Sequence, residues 1–328
     1  MNLPPPKRLW RTRSAEYRMK KMNKSMPDMQ VNIGGIAMKN PVMAASGTFG
    51  YGKEYAPLVD LNRLGALVVK GISLKPEKGN EIPRMVEVPG GLINAIGLQN
   101  PGFDEFVRSY LPFLKKRKVK VIVNIWGRSV NEYAEVAARF DRIKGVHGLE
   151  INISCPNIKS GGIAFGTDPR MTAEVVAAVR KSTQLPLIVK LSPNVTKIGE
   201  FARMAEANGA DAVSLINSFP AFAVDIETRR PILANVTGGL SGPAIHPIAL
   251  KMVWEAARAV KIPVVGIGGI TSAREALAFM IAGASAVAVG TANFTDPTVI
   301  LKIVEGIESY LVRHKMKSVR ELVGSLKV

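Results

Sequence analysis

Short apolar runs recur along the chain at Val42-Ser46, Ala66-Lys70, Val121-Ile125, Leu149-Ile153, Leu187-Leu191, Ala212-Asn217, Val264-Gly268 and Ala286-Gly290. Most are near-continuously apolar, which reads as strands covered on both faces and hence as a parallel sheet. Between most of them apolar positions return at helical spacing, as over Ala173 to Lys181 and over Ile198 to Asn208, the latter stopped by Gly209. About eight βα units in one chain predict an α/β protein of the (β/α)8 TIM barrel class, with functional groups at the carboxyl ends of the strands. A doubly wound sheet is the competing architecture, but the first unit lacks the GxGxxG that would open it. Ahead of that unit, Val31 to Met38 reads as a short strand or hairpin able to plug one end of the barrel.

The pattern breaks where a barrel needs it to break. Ser46, Lys70, Asn124, Asn152, Lys190 and Asn217 stand at or beside strand ends, where a packing role calls for apolar residues. Two lysines among these amides point to an anionic or strongly polar ligand. Strand seven runs into Gly266-Ile267-Gly268-Gly269 and strand eight into Gly290-Thr291, the two places where such barrels hold a phosphate on closely approaching backbone amides. A lone GxGG is usually only a tight turn; the neighbouring Gly290-Thr291 turns it toward a phosphorylated cofactor. Two connections, residues 71 to 103 and 218 to 245, exceed simple loops and are expected to roof the site, with Asn94 in the first and Gly239 and Gly242 in the second.

One stretch, Gly148 to Gly166, carries the most chemistry. Leu149, Ile151 and Ile153 alternate with Glu150, Asn152 and Ser154, and the strand ends at Cys155-Pro156 because proline has no amide hydrogen for a ladder. A lone cysteine is ordinarily a small core residue. Here Asn152, Ser154 and Asn157 surround it with more polarity than a core position tolerates. Gly161, Gly162 and Gly166 then predict a pliant loop, a movable lid carrying a reactive thiol.

Composition narrows the chemistry further. With 47% hydrophobic residues in 328, the chain can build one large domain. A single cysteine excludes an internal disulfide and a four-thiolate cluster, and His147, His246 and His314 lack metal-ligand spacing, so no metal site is expected. The net charge of +18 invites a nucleic-acid partner, yet eight lysines and arginines against the single Glu16 lie before Met26. Another basic run, Lys115 to Lys118, reads as a solvated helix end, and the 6% aromatic residues are not interleaved with either run. No nucleic-acid partner is expected. The division is therefore a basic, disordered extension over 1–29 and a barrel domain over 30–328. No run of eighteen apolar residues spans a membrane and no secretory signal is legible, which leaves a cytoplasmic or organellar location.

A thiol, two strand-end lysines, a phosphate cradle and a ring of amides suit redox or proton-abstraction chemistry. No His–Asp pair, carboxylate pair or ligand set supports thiol-protease, glycosidase or metal-assisted hydrolysis. A flavin fits, since Lys190 is placed to stabilise a reduced ring.

The segments ASGTFGYG, VKGIS, NAIGLQNPG, EINISCPN, FGTDP, VKLSPNVT, PILANVTGGLSGPAI, GIGGI and AGASAVAVGTANF resemble the class 1 dihydroorotate dehydrogenases, and NAIGLQNPG with PILANVTGGLSGPAI resembles the catalytic subunit of the class 1B branch. The likeness covers essentially everything after Met29, in family order. It implies a barrel holding one flavin mononucleotide (FMN) per chain, oxidising (S)-dihydroorotate to orotate in pyrimidine synthesis in the cytoplasm. Around the flavin it implies Ser46, Lys70, Gly71, Asn124, Asn152, Lys190, Ile216, Gly242, Gly268, Gly269, Gly290 and Thr291. Around the substrate it implies Lys70, Asn94, Ala95, Ile96, Gly97, Leu98, Asn152, Asn157, Asn217 and Ser218. Cys155 becomes the base that removes the C5 proton while hydride leaves C6 for flavin N5. Position 218 departs from the family in carrying serine where threonine is usual. The resemblance further implies a homodimer joined to a second subunit with FAD and a [2Fe–2S] cluster, a heterotetramer passing electrons to NAD+. A dihydropyrimidine dehydrogenase-type barrel acting on uracil, and an RNA-binding or tRNA-modifying FMN barrel, are the competing functions.

Overall fold

The eight apolar runs are eight parallel strands in the computed structural model, which describes residues 26–154 and 162–327. They are β1 (Val42–Ala44), β2 (Ala66–Ile72), β3 (Lys120–Ile125), β4 (Gly148–Asn152), β5 (Leu187–Lys190), β6 (Ala212–Leu215), β7 (Val264–Ile267) and β8 (Ala286–Val289). Neighbours pair in chain order and β8 closes onto β1, giving the (β/α)8 barrel. Nearly every strand residue is buried because helices cover the outer face and side chains fill the inner one.

The helices follow from capping and spacing. Pro169–Ser182 starts earlier than its apolar pattern suggests, because Asp168 accepts the Arg170 amide and Pro169 fits a first helical position. Ile198–Ala207 buries Ile198, Phe201, Ala202 and Ala205, one face of a helix, and the chain leaves through Gly209 at φ +100°. The helical turn Leu111–Lys115 ends within the basic run, leaving Lys115, Lys116 and Lys118 exposed.

The amino end of the barrel is plugged as expected. Val31–Ile33 pairs antiparallel with Ile36–Met38, and Ile36 packs against Gly148 at the start of β4 so closely that a Cβ there would lie 2.6 Å from its Cδ1. The chain joins the barrel at Asp28, whose amide donates to the Lys317 carbonyl and whose carboxylate pairs with Arg320. Asp28 and Met29 thus lie on the barrel side of the boundary expected at 29/30, and the extension up to residue 25 is outside the described residues.

At the carboxyl end the two long connections build a roof. Phe219–Phe222, Thr237–Ser241, Gly91–Asn94 and Met85–Val88 form a four-stranded antiparallel sheet in that order. It has its own small core of Ile93, Ala95 and Leu233. The lid after β4 differs from its expected loop: Gly162 and Gly166 belong to a helical segment, Gly162–Thr167. Glycine at 166 is required by packing there, since a Cβ would stand 2.3 Å from the Ile153 carbonyl oxygen. Cys155, Asn157 and Gly161 fall outside the described residues. Among the described residues no helix is long and apolar enough to cross a membrane.

Candidate active site

Between strand ends and roof lies a cavity of about 400 Å³, within the range of cofactor sites. Its floor is Ser46 after β1, Lys70 and Gly71 on β2, Asn124 on β3, Asn152 on β4, Lys190 on β5 and Ile216 after β6. Asn94, Ile96, Gly97, Leu98 and Gly242 come from the roof segments, with Asn217 and Ser218 opposite. Gly268, Gly269, Gly290 and Thr291 complete the ring. Thus every cofactor position expected from the sequence borders one space. Of the substrate positions within the described residues only Ala95 does not: it is fully buried in the roof, its amide donating to Arg84 and its carbonyl accepting from Asn80. The strand alternation that turns Asn94 and Ile96 inward turns Ala95 away.

Two side-chain hydrogen bonds reinforce the roof beyond its strand ladder. Asn94 Nδ2 donates to the Gly239 carbonyl at 3.3 Å, joining the two long connections. Thr291 Oγ1 donates to Ser241 Oγ at 2.8 Å, joining the end of β8 to the second.

The glycines divide by task. A Cβ on Gly266 would strike the Phe279 ring at 2.7 Å, so this glycine serves helix packing. Gly268 and Gly269 have φ of +137° and +64°, and a Cβ on Gly269 would meet His246 Cβ at 2.7 Å. Gly290 is different, because a Cβ there would find nothing closer than 3.8 Å and would only fill cavity. Gly269→Ala is therefore expected to cost about 1–3 kcal/mol of stability from left-handed backbone strain, seen as a lower denaturant midpoint. Gly290→Ala, whose Cβ only fills cavity, should keep the midpoint of the unliganded protein; equal midpoints for the two variants would contradict this division.

Electrostatics show what the cavity wants. Neither Lys70 nor Lys190 has an ion-pair or side-chain hydrogen-bond partner among the described residues, although both stand in its wall and Lys190 is buried. Burial, then the like charge of Arg84, lower the Lys70 pKa from its ordinary value against a weaker opposing effect of the Glu54 carboxylate. Arg84 itself donates to Gln99 Oε1 at 2.8 Å and to the Asn80 carbonyl at 3.3 Å, and forms no ion pair among the described residues. Unpaired buried cations are costly unless a ligand supplies the missing acceptors.

The polar floor is one hydrogen-bonded array. Asn124 Nδ2 donates to Glu150 Oε1 at 2.6 Å, and Ser214 Oγ donates to Glu150 Oε2 at 3.0 Å across the barrel. Asn152 Nδ2 faces Asn124 Oδ1 at 3.4 Å, while Asn217 Nδ2 donates to Ser154 Oγ at 2.9 Å. Tyr133 OH holds the Asn152 carbonyl at 2.7 Å. Sequence reasoning missed Glu150, Ser214, Arg84, Gln99 and Ser241. Arg84 had a signal, a cation in a long active-face connection; Glu150 was legible only as one position of an alternating strand.

The model of the dihydroorotate dehydrogenase family matches residues 28–311, which is most of the chain and all eight barrel strands. The chain belongs to the dihydroorotate dehydrogenase family. Among its relatives are proteins named dihydroorotate dehydrogenase B (NAD(+)), catalytic subunit. One from Citrifermentans bemidjiense is 58% identical over 302 residues, covering 92% of this chain and 99% of that protein. Another, from Geotalea uraniireducens, is 57% identical over 300 residues, 92% of this chain and 98% of the relative. A third, from a Thermoanaerobacter strain, is 55% identical with 92% and 99% covered. A dihydroorotate dehydrogenase is an oxidoreductase acting on a carbon–carbon single bond, and the family uses a flavin. The cavity fits such a group: open space beside Gly290, two lysines that form no ion pair among the described residues, and a row of asparagine amides along its floor.

Proposed function

We propose that this chain is the catalytic subunit of an NAD+-linked dihydroorotate dehydrogenase, oxidising (S)-dihydroorotate to orotate in pyrimidine synthesis. The observation that carries the reading is the pair of cavity lysines that form no ion pair among the described residues, set among asparagines that match a ring of alternating N–H and C=O groups. FMN, one per chain, would be held by Ser46, Gly71, Asn124, Lys190, Ile216 and Gly242, its phosphate against Gly268, Gly269, Gly290 and Thr291. When bound it supplies the acceptor for the hydride that leaves C6.

The chain's own residues do the rest. Lys70, with Arg84 beside it, attracts the substrate carboxylate. This cationic pair favours a carboxylated pyrimidine over uracil. Asn94, Asn152, Asn157, Asn217 and Ser218 orient the ring, and Ile96 to Leu98 cover it. Cys155, as thiolate, takes the C5 proton while the C5=C6 double bond forms. Its position one residue beyond Ser154, which is buried in the asparagine array, supports that role. Electrons pass onward through a partner subunit with FAD and a [2Fe–2S] cluster to NAD+, in an assembly built on a homodimer of this chain. Support for a partner is the name of the relatives as catalytic subunits. The cytoplasmic location goes with that role.

The test is anaerobic. The purified protein should be yellow, and dihydroorotate should bleach it where dihydrouracil does not. Bleaching by dihydrouracil alone would move the protein to the uracil-type barrels. An ordinary thiol titrates near ~8.5, so the bleaching rate should climb with pH through the neutral range; a flat profile speaks against a thiol base.

A further inference from the structure

We infer that Glu150, which reaches neither solvent nor the cavity, is a positioning residue that fixes which way the floor asparagines present donors and acceptors to the pyrimidine; this rests on the reading above. The carboxylate is 2% exposed on β4 and points into the barrel, where Ser214 from β6 reaches it. Both of its oxygens accept, Oε1 from Asn124 Nδ2 at 2.6 Å and Oε2 from Ser214 Oγ. With Oε1 as acceptor, the reverse amide orientation of Asn124 would set two acceptors against each other. Its Oδ1 then faces Gly71, where a Cβ would come within 2.9 Å of it, and receives Asn152 Nδ2.

Asn152 is constrained from both ends. Its Nδ2 is directed to Asn124, and its Oδ1 accepts the Ser154 amide at 3.4 Å and Ser154 Oγ at 3.2 Å. Asn217 Nδ2 approaches the same oxygen at 3.5 Å and the Ser154 carbonyl at 3.1 Å, while its Oδ1 accepts the Ser218 amide at 2.8 Å. The backbone at 154 and 218 fixes one end of this row. Glu150 fixes the other. A leucine at 150 would leave Asn124 free to rotate and pass an undefined orientation to Asn152.

The experiment measures orotate binding to the holoenzyme by calorimetry, with melting temperature in parallel, for wild type and for Glu150→Leu, Glu150→Gln, Ser214→Ala and the Glu150→Gln/Ser214→Ala double variant. Glutamine can accept from Asn124 with Oε1 and donate to Ser214 Oγ with Nε2, so it should rescue binding to within about threefold, whereas leucine should weaken it about tenfold. Removing Ser214 as well lets the glutamine amide reverse, so the double variant should fall about tenfold although each single change is mild. A role in packing alone predicts lower melting temperatures with unchanged orotate affinity in every folded variant. That result overturns the inference. Should the leucine variant not fold, additivity in the double variant overturns it equally, and a wild-type protein that binds no orotate sinks the functional reading with it.

Discussion

Cys155→Ala protein mixed with dihydroorotate without oxygen is expected to bleach about 10²–10⁴-fold more slowly than wild type, the loss that removal of a positioned general base produces. The residue just before it is already locked into the floor: Ser154 is buried, its hydroxyl and amide reach Asn152 Oδ1, and its carbonyl accepts from Asn217. Orotate affinity and the flavin spectrum should stay near wild type, since proton abstraction is lost and binding is not. Serine at 155 should retain a fraction of the rate, most at high pH, because its hydroxyl is a far weaker acid. Wild-type bleaching by the alanine variant would remove Cys155 from the mechanism.

Lys70→Ala is the second large effect, expected to raise KM for dihydroorotate about ten- to hundredfold, the value of one charge-assisted hydrogen bond. Arg84 remains nearby, which sets the lower end of that range. The pH dependence has a definite sign. Desolvation and Arg84, outweighing Glu54, lower the Lys70 pKa, so its charge is lost as pH rises sooner than that of an ordinary lysine. Orotate affinity should therefore decline on the alkaline side while thiolate formation raises the bleaching rate, giving a bell-shaped kcat/KM. Lys70→Arg, whose charge persists, should shift the alkaline fall upward even if its bulk weakens binding. An alkaline limb unchanged in Lys70→Arg would assign the fall to another group.

Much of the site was legible because strand ends carry local signals. An apolar run that finishes in Lys70, Asn124 or Lys190 announces a buried polar group, and the barrel puts all such ends on one face. The loop expected over Gly161 to Gly166 was misread for an equally local reason. Glycines there looked like freedom, yet Gly166 is small because it presses on the Ile153 carbonyl within a helical segment. Ala95 was carried along with its neighbours in NAIGLQNPG, and only the pleat of the roof strand shows that it turns away.

By itself the sequence determined the barrel, the polar and glycine positions around its mouth and the family likeness, since each rests on periodicity or on contiguous motifs. Tertiary structure alone decided the roof, where Asn94 meets Gly239 across 145 residues, the approach of Arg84 to Lys70, and the link from Ser214 through Glu150 to Asn124. Those contacts join residues whose local patterns are independent of one another. Chain closure brings them together, and the need to satisfy every buried polar group then selects their partners.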